Sequence, residues 1–175
     1  MIRITRRRFL AVGAAGGAAL ALAGGYAWMR GRRASPEIRR LDADALAIIR
    51  AIVPAMLAGA LPPATPARTS AIDETVDAVR RAIAGLAPAA QDELAQLFGL
   101  LATGVGRRLF AGVASSWPDA TPAEVDAFLV AWRDSGWALK RSAYDALHQL
   151  TFAAWYANPR SWGAIGYPGP PVLGA

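Results

Sequence analysis

The sequence predicts an all-α protein: a small bundle of about five helices, preceded by an N-terminal signal or anchor helix and followed by an irregular tail rich in Pro, Gly and aromatic residues. Three observations predict it. Apolar residues recur at spacings of three and four in separate segments, the period of an amphipathic helix. No stretch longer than a few residues alternates with the period of a strand, and no internal repeat is visible. Clusters of Pro and Gly fall between the periodic segments, where they separate helices.

Residues 1–30 form the leader. Thr5-Arg6-Arg7-Arg8-Phe9-Leu10 is followed by an uncharged run from Ala11 to Met29. A basic stretch ahead of an apolar one is the layout of an export signal. Thr5, the pair Arg6 and Arg7, then Phe9 and Leu10 resemble the twin-arginine signal in composition and order. Gly13, Gly16, Gly17, Gly24 and Gly25 make the run less apolar than an ordinary membrane helix. A plain anchor is the competing reading, because residues 9–29 are long enough to cross a bilayer. Arg30, Arg32 and Arg33 on the far side blunt the charge asymmetry that would orient it. Ala21-Leu22-Ala23 offers a small-x-small cleavage site. The expected compartment is the periplasm, with the inner membrane as the place of any retained anchor.

Residues 31–40 read as a basic linker, and residues 41–158 as the helical domain. The first helix is expected over Leu41–Leu57, capped by Asp42. Its apolar set is Leu46, Ile49, Ile52, Val53, Met56 and Leu57, and Pro54 must kink or end it. Pro62, Pro63 and Pro66 mark residues 59–68 as a loop. The second helix is expected over Ser70–Ala84, with Ile72, Val76, Val79 and Ile83 inside. A third begins near Pro88, a residue suited to a first helical turn, and carries Leu94, Leu97, Phe98, Leu100 and Leu101. Gly104 and Gly106 weaken its continuation, so residues 107–113 read as a short separate helix. Thr121-Pro122-Ala123-Glu124 is a capping box that starts the fourth helix, with Val125, Phe128, Leu129 and Trp132 buried. Gly136 separates it from the fifth, Trp137–Tyr156, whose apolar residues are Leu139, Ala143, Leu147, Leu150, Phe152, Ala154 and Trp155. Residues 159–175 are expected as an extended tail, because Pro and Gly forbid a continuing helix.

Charge and composition exclude several functions. The formal net charge is +6, but residues 1–30 hold five Arg and no acid. From Leu41 onward there are 10 basic and 12 acidic residues, a net of −2. Nucleic-acid binding, which needs a clustered basic face, is therefore not expected. The chain has no Cys, which removes disulfides, thiolate metal sites, iron–sulfur clusters and covalent haem. No Gly-rich loop is followed by Lys-Ser/Thr, so a phosphate loop is absent. His148 is the only histidine. Without a converging acid or a thiolate it makes no zinc site, and it reads as a structural or interface imidazole. Asp73, Glu74 and Asp77 read as a solvated helix face pairing with Arg80 and Arg81 at i,i+3 and i,i+4. No catalytic, cofactor-binding or metal-ligating residue is assigned.

The aromatic end of the chain differs. Trp155, Tyr156, Trp162 and Tyr167 supply large apolar area at low entropic cost. They either pack back over the bundle or anchor a partner, and both outcomes bury the same rings.

Trp132-Arg133-Asp134-Ser135, Leu147, Tyr156-Ala157-Asn158-Pro159 and the run from Trp162 to Pro171 resemble the C-terminal part of gluconate 2-dehydrogenase subunit 3-like proteins. Ile52-Val53-Pro54-Ala55 is similar to their N-terminal pattern. The likeness covers about forty C-terminal residues well, the leader as a class feature, and the middle loosely. It implies a non-catalytic small subunit that assists folding, stability and twin-arginine co-export of a large flavoprotein dehydrogenase of the glucose–methanol–choline type. The FAD then belongs to that partner. A cytochrome c subunit and the twin-arginine translocase are the other implied partners. The tail motif, with Trp155, Tyr156, Trp162, Gly166, Tyr167, Pro168 and Pro170, is the implied contact with the large subunit. The alternative is a stand-alone periplasmic or membrane-anchored helical protein with a binding or structural role.

Overall fold

A computed structural model describes residues 41–63 and 66–170. The signal residues Thr5, Arg6, Arg7, Phe9 and Leu10, the linker and the last residues of the tail lie outside the described residues. Among the described residues the structure is all-helical, without strands, and five α-helices carry it: α1 (Ala43–Met56), α2 (Pro66–Ala84), α3 (Pro88–Ala102), α4 (Pro122–Arg133) and α5 (Ala138–Tyr156). None of the described helices is long and apolar enough to cross a membrane.

Helix α1 is central. Asp42 caps it, its carboxylate accepting from the Ala45 amide at 2.8 Å. Ala45, Ile48, Ile49, Ile52 and Val53 are all buried. Adjacent positions at 48/49 and 52/53 widen the apolar stripe beyond a single face. The helix therefore packs against α2, α3, α4 and, more lightly, α5. Ile48, absent from the periodic set read in the sequence, is fully buried. Pro54 stands inside the last turn, where its ring leaves the Arg50 carbonyl without a helical donor, and the helix ends two residues later at Met56.

Helix α2 starts four residues earlier than its apolar pattern suggests. Pro66 takes the first position, where its missing N–H has no intrahelical partner to lose. Helix α3 ends at Ala102 and is capped by Thr103, whose hydroxyl donates to the Leu100 carbonyl at 2.8 Å and accepts from the Gly106 amide at 2.9 Å. The segment expected as a short helix is a π-type turn over Gly106–Ala111. Only glycine fits at 106: a Cβ there would overlap the Leu100 carbonyl oxygen. Gly112 closes the turn with φ 75°, in the left-handed region open to glycine.

Helix α4 has both halves of its capping box. The Glu124 amide donates to Thr121 Oγ1 at 3.2 Å, and the Thr121 amide donates to Glu124 Oε2 at 3.0 Å. Glu124 also accepts from the Ser115 amide and hydroxyl, at 3.3 and 3.1 Å, joining the preceding turn to the helix. These bonds, first from the Thr121 amide and then from the Ser115 amide, lower the Glu124 pKa from 4.5 to about 2. Val125, Phe128, Leu129 and Trp132 are buried as their spacing predicts. Phe128 sits edge-on between Trp117 and Trp132, with centroids 5.7 and 4.7 Å away. Both indoles are satisfied: Trp117 donates to the Leu101 carbonyl and Trp132 to the Phe110 carbonyl, each at 2.9 Å.

Helix α5 packs along α2 and α4 and buries Leu147, Thr151, Ala154 and Trp155. Leu139, expected inside, is 69% exposed, because the first turn of α5 extends past the bundle. Residues 159–165 are not extended as expected. They form two 3-10 turns, Pro159–Ser161 and Gly163–Ile165.

Stability measurements check this packing. Phe128→Ala removes a fully buried ring and its two edge contacts, and lowers unfolding free energy by about 3–5 kcal/mol, read by urea titration. The folded-state pKa of Glu124 lies below its unfolded value, so its stabilisation is complete above pH 4.5 and lost as pH falls towards 2. The melting temperature of Glu124→Gln should therefore decline less steeply than that of the native chain across that window.

Candidate functional site

The C-terminal turns are held by one carboxylate of α2. Helix α5 ends at Tyr156, and Asn158 caps the next turn by accepting from the Arg160 amide at 3.0 Å. The Asn158 side-chain amide donates to Glu74 Oε2 at 3.0 Å. Arg160 grips the same carboxylate with two prongs, Nε to Oε2 at 3.2 Å and Nη2 to Oε1 at 2.7 Å. Ser70, one turn earlier on α2, adds a hydroxyl at 3.1 Å. The bonds from Asn158 and Ser70, and then the Arg160 guanidinium, hold the Glu74 carboxyl below its usual range. Ser161 is buried and donates to the Asn158 carbonyl at 2.8 Å.

Beyond this clasp the tail folds on Trp162. Its indole donates to the Tyr156 carbonyl at 2.8 Å. The Tyr167 amide returns to the Trp162 carbonyl at 3.0 Å, and the two rings meet edge to face at 5.3 Å. Gly166, at φ 68°, permits this reversal. Gly169, at φ 101°, lies against the Trp162 ring, which a Cβ would meet at 3.1 Å. Tyr156, Ile165 and Tyr167 are 41%, 55% and 44% exposed. Pro168 and Pro170 are exposed beside them.

The structure separates residues that the sequence groups together. Tyr156, Trp162, Gly166, Tyr167, Pro168 and Pro170 form one ordered surface element. Trp155 does not belong to it: at 3% exposure it is a core residue facing inward from α5, so its ring is not open to a partner. The choice between packing back and facing outward is resolved ring by ring, with Trp155 inside, Trp162 half-buried as a platform, and Tyr156 and Tyr167 outside.

The three acids of α2 also part company. Asp77 pairs with Arg80 at 3.4 Å, the local i,i+3 contact expected of a solvated face. Asp73 pairs with Arg50 of α1, and Glu74 reaches the tail. Sequence reasoning misses this clasp, because its partners are 84 and 86 residues apart. His148 lies in an aromatic row on α5, stacked on Phe152 at 4.2 Å and tilted against Tyr144 at 5.7 Å.

Two depressions stand out among the described residues. One, of about 530 Å³, is lined by Ala47, Ala51, Pro54, Trp117 and Val125, with Arg50 and Asp126 at its walls. The other, of about 340 Å³, lies beside the clasp and includes Glu74, Asp77, Arg81 and Asn158. Among the described residues no group of three or more metal-ligating side chains converges. Comparison with protein-family models, curated proteins and solved structures returns no match.

Arg160→Ala should lower global stability by only about 0.2–1 kcal/mol, as for exposed ion pairs. Amide exchange at Ser161, Trp162 and Tyr167 should nevertheless rise, while exchange in α1 and α4 stays unchanged. Unchanged protection of the tail would mean that the Trp162 contacts hold it without the clasp.

Proposed function

We propose that this chain is a non-catalytic small subunit that assists the folding, stability and twin-arginine co-export of a FAD-dependent dehydrogenase large subunit of the glucose–methanol–choline type. The observation that carries the reading is the C-terminal element. The stretch whose residues resemble the gluconate 2-dehydrogenase subunit 3-like pattern is held in a defined conformation by Glu74, and it presents Tyr156, Ile165 and Tyr167 to solvent. Ordered, exposed aromatic rings on a fixed backbone are suited to anchoring a protein partner, because little entropy remains to be lost on binding.

The leader supports the same reading. Arg6 and Arg7 supply the export address, and a signal that carries folded cargo is explained if the cargo is a cofactor-loaded companion. The flavin chemistry then resides in the partner, and this chain contributes surface and address. A cytochrome c subunit would complete the electron path from the large subunit.

Co-expression with the large flavoprotein tests the proposal. Periplasmic FAD-dependent activity should require this chain and should be abolished when Arg6 and Arg7 are both changed to Lys. Tyr167→Ala combined with Tyr156→Ala should lower co-purification of the two subunits at least tenfold, by the usual cost of losing aromatic anchors (about 2 kcal/mol or more). Activity and export that are unchanged without this chain would overturn the reading.

A further inference from the structure

The end of the bundle formed by the π-type turn and the start of α5 combines exposed apolar side chains with an excess of cations over acids. Val105 and Leu109, one turn apart around the π-type segment, are 69% and 77% exposed. Trp137 and Leu139, at the start of α5, are 66% and 69% exposed. Lys140 brings the two segments together: its Nζ donates to the Phe110 carbonyl at 3.1 Å and lies 5.9 Å from the centroids of both Phe110 and Trp137.

Charge is concentrated here as well. Arg107, Arg108, Arg133, Lys140 and Arg141 are five of the ten basic residues from Leu41 onward, and Asp134 is the one acid among them. Asp134 is already engaged by Arg133 at 2.9 Å. Arg141 donates to the Ser135 carbonyl, and Arg108 is exposed without an ion-pair partner among the described residues. Asp126 lies two turns back along α4, within electrostatic reach of Arg133, and Asp145 lies one turn on from Arg141 along α5. A body that is net negative thus has one positive, apolar-tipped end.

We propose that this end docks on an anionic lipid surface. Trp and Leu enter the interfacial layer, and Arg and Lys stay at headgroup level, which is the division of labour at a bilayer interface. A bilayer also accepts separate projecting side chains without the packed pocket that a protein interface needs around each anchor. Anionic headgroups complement the cations here, and the acidic remainder of the domain is directed away from the membrane.

The full chain is incubated with vesicles of phosphatidylcholine alone and with vesicles that also contain phosphatidylglycerol, and hydrogen exchange is read peptide by peptide. This readout separates the body from any insertion of the leader. Protection should appear over 105–110 and 137–141 only with phosphatidylglycerol, and should fade as salt is raised. Replacing Arg108, Lys140 and Arg141 by Ser should weaken the protected state about 100-fold, from roughly fivefold per cation at an anionic surface. Trp137→Ser with Leu109→Ser should abolish protection while leaving the exchange of α1 unchanged. Binding through the leader without protection of these two segments would overturn the proposal. So would equal protection on both vesicle types, or protection that appears only with a co-expressed acidic protein.

Discussion

Burial of helix α1 on more than one side is the constraint that organises the rest of the structure. Ile48, Ile49, Ile52 and Val53 leave no broad face of its middle turns polar, so the helix can exist only with neighbours around it. Each neighbour brings a narrower stripe. α4 brings Val125, Phe128, Leu129 and Trp132, and α2 brings Val76, Val79 and Ile83. These stripes leave their opposite faces free for charge, and the surface acids and arginines occupy them.

That arrangement sets the surroundings of both ends of α5. Because α5 packs along α2, the segment after α5 arrives beside Glu74. A carboxylate on a solvated helix face then becomes the anchor for a tail that Pro and Gly prevent from forming a helix of its own. At the other end α5 begins before the bundle does, and its first turn carries Trp137 and Leu139 into solvent beside the glycine-constrained π-type turn. Two surfaces result, one aromatic and clasped, the other basic and apolar. The function proposed for the chain uses the first, and contact with lipid is inferred for the second. They lie at different places in the fold and can be occupied together.

The helices are legible in the sequence because their signals are local. Asp42 and the Thr121–Glu124 box act within one turn, and Val125, Phe128, Leu129 and Trp132 face one way by the 3.6-residue period alone. Periodicity fails where an element leaves the core: it places Leu139 inside, since spacing along a helix does not say where the neighbouring helices stop. It omits Ile48, since an average stripe underestimates a helix enclosed by several partners. Trp155 and Tyr156 are neighbours in the chain, yet adjacent helical positions differ by about 100°, and one ring is core while the other is surface.

The sequence by itself determined the helical class, the capped starts of α1 and α4, the absence of thiolate chemistry and the charge difference between residues 1–30 and the rest of the chain. These depend on residue type and short spacing. Only the tertiary structure decided that Glu74 holds Asn158 and Arg160, that the tail turns back on Trp162, and that Lys140 of α5 meets the π-type turn at the Phe110 carbonyl. The clasp and the Lys140–Phe110 contact join residues thirty to nearly ninety positions apart, and it is the mutual packing of the helices, set by burial around α1, that brings them within hydrogen-bonding distance.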